Sequence, residues 1–504
     1  MFVKRSPARD SSEDSVLLLP RKSSGTMAEN KVTKESLKLS QRIAYGLGHV
    51  MNDICSAMWF SYTLLFFEVV LQMPSSVAGA LIFTGQVVDA VFSPIIGLLV
   101  DRYGSRKSWH MLGTAMLVLT YPLTFANCPW NPGFTIRFSK LDGPLGSWKN
   151  FDETQLALAA TYFALLVTVF QVGWAMVQIS HLAIIPDITP DKNERANLTA
   201  IRYTANVGAY VFVFLITWFI LHVTHGSHAS IGSEDAYKFK AVALLGLSVG
   251  GVCTVIFHIV LKTPDALKPI AKSQSTKKFS TWITVIGEYF KAPLLYQVTL
   301  VYFASRMLLT ISLVYMPLYL VESVGKEEEF IATVPLVSYI GSLVASLLMR
   351  QFRTLFHTKT YYIMGTILSI VASVWIGVGF KHNEELFGLA TLLGNIFRSK
   401  SAGSSITGVA SLCLCADLVG TDTENGAFVY SVVTAMDKLL GGVVVIIIEY
   451  TKTEISTSKA YYQNVLAYGC GVSSILGLVA LTTMYLNTKP SSTSLTRSPD
   501  SNTR

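Results

Sequence analysis

The sequence predicts an all-α polytopic membrane protein, with twelve transmembrane helices in two six-helix halves and both termini cytosolic. Three observations carry this prediction. Of 504 residues, 51% are hydrophobic and only 14% charged, against about 25% charged in soluble domains. Mean hydropathy is +0.46, and the apolar residues gather into runs of about 20, enough to cross a hydrocarbon core of roughly 30 Å as a helix. Lys and Arg, finally, are segregated between alternate runs. The net charge of +8 is then a positive-inside signature rather than a nucleic-acid footprint.

Taken in order, residues 1–42 are polar, basic and Ser-rich, which predicts a disordered cytosolic tail rather than a cleavable signal. The tail contains "EDSVLLLP", an acidic dileucine pattern through Glu13, Leu17 and Leu18 of the kind clathrin adaptor complexes read as an address. Spans follow at about 43–71, 77–100, 109–127, 154–182, 198–222 and 238–261, making an N-terminal half over 43–261. The segment 262–293, "KTPDALKPIAKSQSTKKFSTW" within it, is a basic, Pro-containing cytosolic loop. A second half over 294–486 has spans at about 294–321, 330–350, 360–380, 386–416, 426–449 and 460–486, and 487–504 is a cytosolic tail. With this layout 26 of the 40 Lys and Arg lie on the side of the termini, nine opposite and five inside spans.

Function classes narrow quickly. There is no nucleotide-binding loop, no HExxH and no nucleophile constellation, so an enzyme is not expected, and no cofactor or metal is implied. The six cysteines fit small buried hydrophobes rather than a disulfide framework. Cys413 and Cys415 have CxC spacing without further ligands.

Polar residues inside the spans point to a site. "GHVMNDICSAMWFSYTLLFF" (48–67) sets Asp53, with Asn52 and His49, in a lipid-compatible stretch. A carboxylate there costs roughly 2.5–3.5 kcal/mol on insertion scales and normally faces a cavity or a partner. Asp89 is enclosed by apolar neighbours. Gln171 and Gln178 are seven apart and share a helix face. Arg306 is placed deep enough to hold a carboxylate bidentately. Adjacent Asp437 and Lys438 project about 100° apart, so they do not simply pair with each other, and one is expected to reach Asp89 or Asp53. His181 reads as interfacial and Arg202 as a cytosolic flank. The tenth span carries Arg398 and Lys400; without Asn395 to Ser401 it is an ordinary uninterrupted span, so these seven residues read as a variant insert.

The 6 + 6 layout with a cytosolic linker resembles the major facilitators, whose halves rock around a midplane site. Gly97, Asp101, Arg102, Gly104, Arg106 and Lys107 resemble their G-x-x-x-D-R-x-G-R-[KR] loop signature, with Ser105 intervening; its role is to lock helix ends during the conformational cycle. More narrowly, "YGLGHVMND" and "VVDAVFSPIIG" resemble the melibiose-carrier branch, the glycoside-pentoside-hexuronide:cation symporters. That resemblance implies that Asp53 is the first-helix acid that holds substrate, that Asp89 keeps one cation-site acid while Ser93 replaces the second, that Gln178 replaces a second sugar acid, and that Lys438 is the helix-eleven lysine near the cation site.

The departures, with "FQVGWAMVQISHLAIIP", "ERANLTAIRY", "FIATVPLVSY" and "NGAFVYS", resemble an animal subgroup of major facilitators that carries cysteine into lysosomes and melanosomes. The resemblance implies a secondary transporter moving a small polar solute, cysteine above all, from cytosol into such organelles. In this reading Asp53, Asn52, Gln178 and Arg306 bind substrate, Asp89, Lys438 and Asp437 serve coupling or gating, and the protein is a monomer in the bilayer with no nucleic-acid partner. A cation-coupled sugar symporter and a non-transporting receptor or scaffold are the alternatives. With Ser93 in place of an acid, uniport is expected.

Overall fold

A computed structural model of the protein describes residues 37–103, 105–128, 153–189, 191–223, 231–262, 293–325, 330–340, 358–379, 423–455, 458 and 460–487. The described helices overlap eleven of the twelve predicted spans, several running a few residues past the predicted ends. The dileucine tail, most of the central loop, the tenth span with its insert, and Gly104 lie outside the described residues. Seven helices among the described residues are long and apolar enough to cross a bilayer.

The first span is two helices, α1 (Leu39–Leu47) and α2 (Val50–Leu65), separated at Gly48–His49. Next come α3 (Ser75–Arg102), α4 (Arg106–Thr124), α5 (Glu153–Ile188), α6 (Lys192–Val223) and α7 (Ala236–Val260). The second half supplies α8 (Pro293–Leu318), α9 (Phe330–Ile340), α10 (Thr358–Val378), α11 (Thr423–Ile455) and α12 (Tyr461–Asn487). Helix α2 is the central post. All of its residues except Val50 and Phe60 are buried, because it packs on α6 and α7 of its own half and on α8 of the other. Peripheral helices show the reverse pattern. On α7, Leu244, Leu245, Val252, Val255 and Ile259 are exposed, an outward apolar face suited to lipid, whereas Phe239, Val242 and Ala243 join the core.

Two departures from α geometry recur at matching places. The first span ends in a π-helical turn, Phe66–Val70, and α8 ends in another, Tyr319–Val324. In the second case Pro317 removes one backbone donor just before the turn, which loosens the ladder and favours a wider register. Gly325, at φ 64°, then stops the helix in the left-handed conformation. Each π turn carries one acid, Glu68 and Glu322.

The halves also meet along α3 and α11. This seam is close. A Cβ at Gly79 would lie 2.7 Å from Glu449 Cβ, and one at Gly442 would lie 2.9 Å from the Phe83 ring.

Candidate functional site

The interruption of the first span organises the site. Gly48 and His49 have ψ of −19° and −7°, short of the helical value near −42°, so carbonyls beside the break need donors from elsewhere. Two buried imidazoles from other helices supply them: His181 Nε2 on α5 donates to Tyr45 O at 2.8 Å, and His110 Nε2 on α4 to Gly48 O at 2.9 Å. Gly48 is required here, since a Cβ would lie 2.4 Å from the Phe257 ring. His181 is therefore 0% exposed and a structural strut. The interfacial position read from sequence is corrected, because its proximity to a helix end hid its packing against the break.

Immediately after the break, Asp53 sits in the first turn of α2, where the helix dipole favours a negative charge. Its Oδ1 accepts from His49 Nδ1 at 2.8 Å and Asn206 Nδ2 at 2.7 Å. Its Oδ2 is buried and has no hydrogen-bond partner among the described residues. The Oδ1 of Asn52 and Oε1 of Gln171 share that condition. Arg202 on α6 donates to His49 Nε2 at 2.8 Å. The cytosolic-flank reading of Arg202 is thus corrected: it reaches inward and lines the same cavity as Asp53.

That cavity has a volume of about 320 Å³ and is lined from both halves, within the range of small-molecule sites. Asp53, Asn52, Gln178, Gln171 and Arg202 enter from one half, Arg306, Asp437 and Lys438 from the other, and Asp89 stands at the seam. Three acids (Asp53, Asp89, Asp437) oppose three bases (Arg202, Arg306, Lys438), so the lining is formally neutral. Lys438 Nζ lies 2.6 Å from Asp89 Oδ2, and Ser93 Oγ donates to Asp89 Oδ1 at 2.8 Å. Arg306 Nε donates to Asp437 Oδ2 at 3.3 Å, and the Arg306 side chain stays 35% exposed. Asp437 and Lys438 therefore take separate partners, as their angular offset requires. Aromatic rings complete the walls: Tyr210 on α6 stacks on Tyr339 on α9 with centroids 4.8 Å apart, and Trp59 stacks on Phe170.

The loop motif is seen in part. Arg106 pairs with Asp187 at 2.9 Å and donates to Ala183 O, while Lys107 donates to Leu261 O. These bonds tie α4 to α5 and to the end of α7, within one half. Gly97 has open space where a Cβ would stand; the side chains of Asp101 and Arg102, like Gly104, lie outside the described residues.

At the end of the bundle away from the predicted cytosolic loops, a second polar cluster joins the halves. Lys452 on α11 donates to Glu68 and to Glu322, the latter at 2.8 and 2.9 Å. The Tyr462 hydroxyl lies 2.6 Å from Glu68 and 3.2 Å from Glu449. Nearby, Ser76 N–H donates to Thr453 Oγ1 at 3.0 Å. The sequence reading missed this cluster; its one signal is an acid near the end of each matching span.

The comparisons with known proteins agree with this architecture. A family model described as MFS/sugar transport protein matches residues 44–488. Major facilitator superfamily domain-containing protein 12 of Homo sapiens is 30% identical over 438 residues, covering 82% of this chain and 85% of that protein. The putative glycoside/cation symporter YagG of Escherichia coli is 24% identical over 219 residues, 42% of this chain and 41% of its own. Among solved structures, a D-xylose-proton symporter superposes with a TM-score of 0.64 at 13% identity, covering 88% of this chain and 97% of that one. A partially occluded, inward-open form of the xylose transporter XylE from E. coli gives 0.61 at 13% identity, covering 89% and 99%.

Proposed function

This chain belongs to the MFS/sugar transport protein family and is a secondary transporter; from that premise we propose that it carries cysteine from the cytosol into lysosomes or related organelles such as melanosomes. The observation that carries the proposal is the condition of Asp53. One oxygen is held by His49 and Asn206, and the other is buried without a hydrogen-bond partner among the described residues. A buried carboxylate oxygen left in this state is costly unless a ligand or water completes it, and an ammonium group is its natural complement.

The rest of the cavity supports a zwitterion. Its three acids and three bases offer no net charge to attract a simple ion. Arg306 is engaged through Nε, which leaves the forked terminal nitrogens as the donor pair for a carboxylate. Asn52, Gln178 and Gln171 supply neutral polar groups for the remainder. The sugar-symporter alternative would use the same acid for hydroxyls, but the Lys438 ammonium already stands where a coupling cation would bind Asp89. That arrangement supports uniport, with cysteine moving down its own concentration gradient.

Asp53→Asn tests the site: uptake of labelled cysteine into isolated organelles is expected to be abolished with the protein correctly folded and sorted. Normal uptake at limiting and saturating cysteine would remove Asp53 from the site. The organelle address is tested separately by replacing Leu17 and Leu18 with Ala, which is expected to move the protein to the plasma membrane.

A further inference from the structure

We propose that His49 is a positioning residue: a neutral imidazole spacer that keeps Arg202 off Asp53, so that Asp53 Oδ2 stays available to the cationic end of the cargo. The inference rests on the reading of Asp53 as the cargo-binding acid, and its test separates the two.

His49 is 3% exposed. Its Nε2 faces Arg202 Nη2 at 2.8 Å and Asn52 Nδ2 at 3.3 Å. Both guanidinium and amide nitrogens are donors only, so Nε2 must present its lone pair. The single ring proton therefore sits on Nδ1 and donates to Asp53 Oδ1, 2.8 Å away. The neighbours dictate the tautomer. A second proton could enter only at Nε2, where it would meet the Arg202 donor head-on, so His49 stays uncharged while Arg202 is in place.

The consequence is geometric. Arg and a carboxylate in direct contact favour a two-pronged pair that occupies both oxygens. Among the described residues no ion pair joins Arg202 to Asp53; the imidazole is interposed, and it takes Oδ1 alone. Asn206 adds a second donor to the same Oδ1. Arg202 still offsets the Asp53 charge through the ring, from a different helix, while Oδ2 meets no donor among the described residues. Without the imidazole, Arg202 would close on Asp53 and compete with the cargo ammonium.

The test is uptake of labelled cysteine by the full chain in isolated organelles, with Michaelis parameters measured for a set of variants at matched protein amounts. His49→Ala is expected to raise KM by about tenfold or more, with Vmax changed less than about threefold, because ground-state binding is what is lost. His49→Gln carries a donor and an acceptor that can mimic the two ring nitrogens, and is expected to restore KM to within about threefold of wild type. Adding Arg202→Gln to His49→Ala removes the competing cation and is expected to recover most of the lost affinity. A merely structural histidine would show neither rescue. If Asp53→Asn leaves uptake unchanged, the cargo-site reading fails. If Asp53→Asn abolishes uptake while His49→Ala keeps its KM, or while Arg202→Gln worsens the His49→Ala defect, the spacer role is overturned.

Discussion

Lys438 and Asp89 form an ion pair across the two halves of the transporter, with Nζ and Oδ2 2.6 Å apart on α11 and α3. Ser93 donates to the other oxygen of the same carboxylate. The acid is thereby satisfied from within the protein. Removing Lys438 alone strands a largely buried carboxylate, whereas removing both charges does not. Lys438→Met is expected to lower stability by about 1–3 kcal/mol, less than for a fully enclosed pair because the lysine is 24% exposed. Asp89→Asn with Lys438→Met is expected to recover most of that loss, read by thermal unfolding in detergent.

The same pair bears on energetics of transport. With Asp89 internally neutralised, cargo movement is expected to be independent of protons. In vesicles with no membrane potential and a pH difference imposed between 5 and 7, where a free thiol stays protonated, the ratio of inside to outside cysteine is expected to settle at unity. A ratio that follows the proton gradient would restore Asp89 as a coupling group.

Arg306 is expected to read the cargo carboxylate. Cysteamine keeps the ammonium and thiol of cysteine but lacks the carboxylate, so it reports on Arg306 alone. A charge-assisted hydrogen bond is worth about 1.5–3 kcal/mol, so Arg306→Gln is expected to reduce the preference for cysteine over cysteamine by about ten- to a hundredfold. Competition against labelled cysteine measures it, and an unchanged preference would leave Arg306 as the partner of Asp437 only.

Lys452 is expected to hold the luminal end shut. It is the cation that Glu68 of one half and Glu322 of the other both grip. Lys452→Met should therefore raise the population open to the lumen; a loss of about 1–2 kcal/mol corresponds to about a five- to thirtyfold shift. A cysteine placed at Gly441, which lines the cavity with ordinary space for a Cβ, would report this as faster labelling by a membrane-impermeant maleimide applied from the luminal side. Equal labelling rates would mean that the cluster adds nothing to closure.

What the sequence revealed was governed by cost. Asp53, Asp89, Arg306 and Lys438 stand out because a charge in an apolar run demands an explanation, and all four line the cavity. Gln178 and Gln171 were visible through their shared helix face. Asn206 was not, Arg202 read as a flank, and His49 was visible only as a polar neighbour of Asp53, because their roles arise from contacts between residues about 150 positions apart. Arg202 lies near a helix end, where a basic residue has a cheaper explanation. The break at Gly48–His49 was hidden for a related reason: it interrupts hydrogen bonds without interrupting hydropathy. The span pattern was legible because bilayer thickness acts on every residue in turn, whereas the π turns depend on local backbone register.

The glycine-lined seam between α3 and α11 has a kinetic meaning. Gly79 and Gly442 present bare backbone to Glu449 and Phe83, so at these two points the surfaces meet without an interlocked side chain that must be lifted over its neighbour when the halves turn. Resistance to turning, and hence the turnover number, is set in part by that smoothness. Residue size at 79 and 442 should govern how fast the carrier reorients, largely independently of how tightly it holds what it carries.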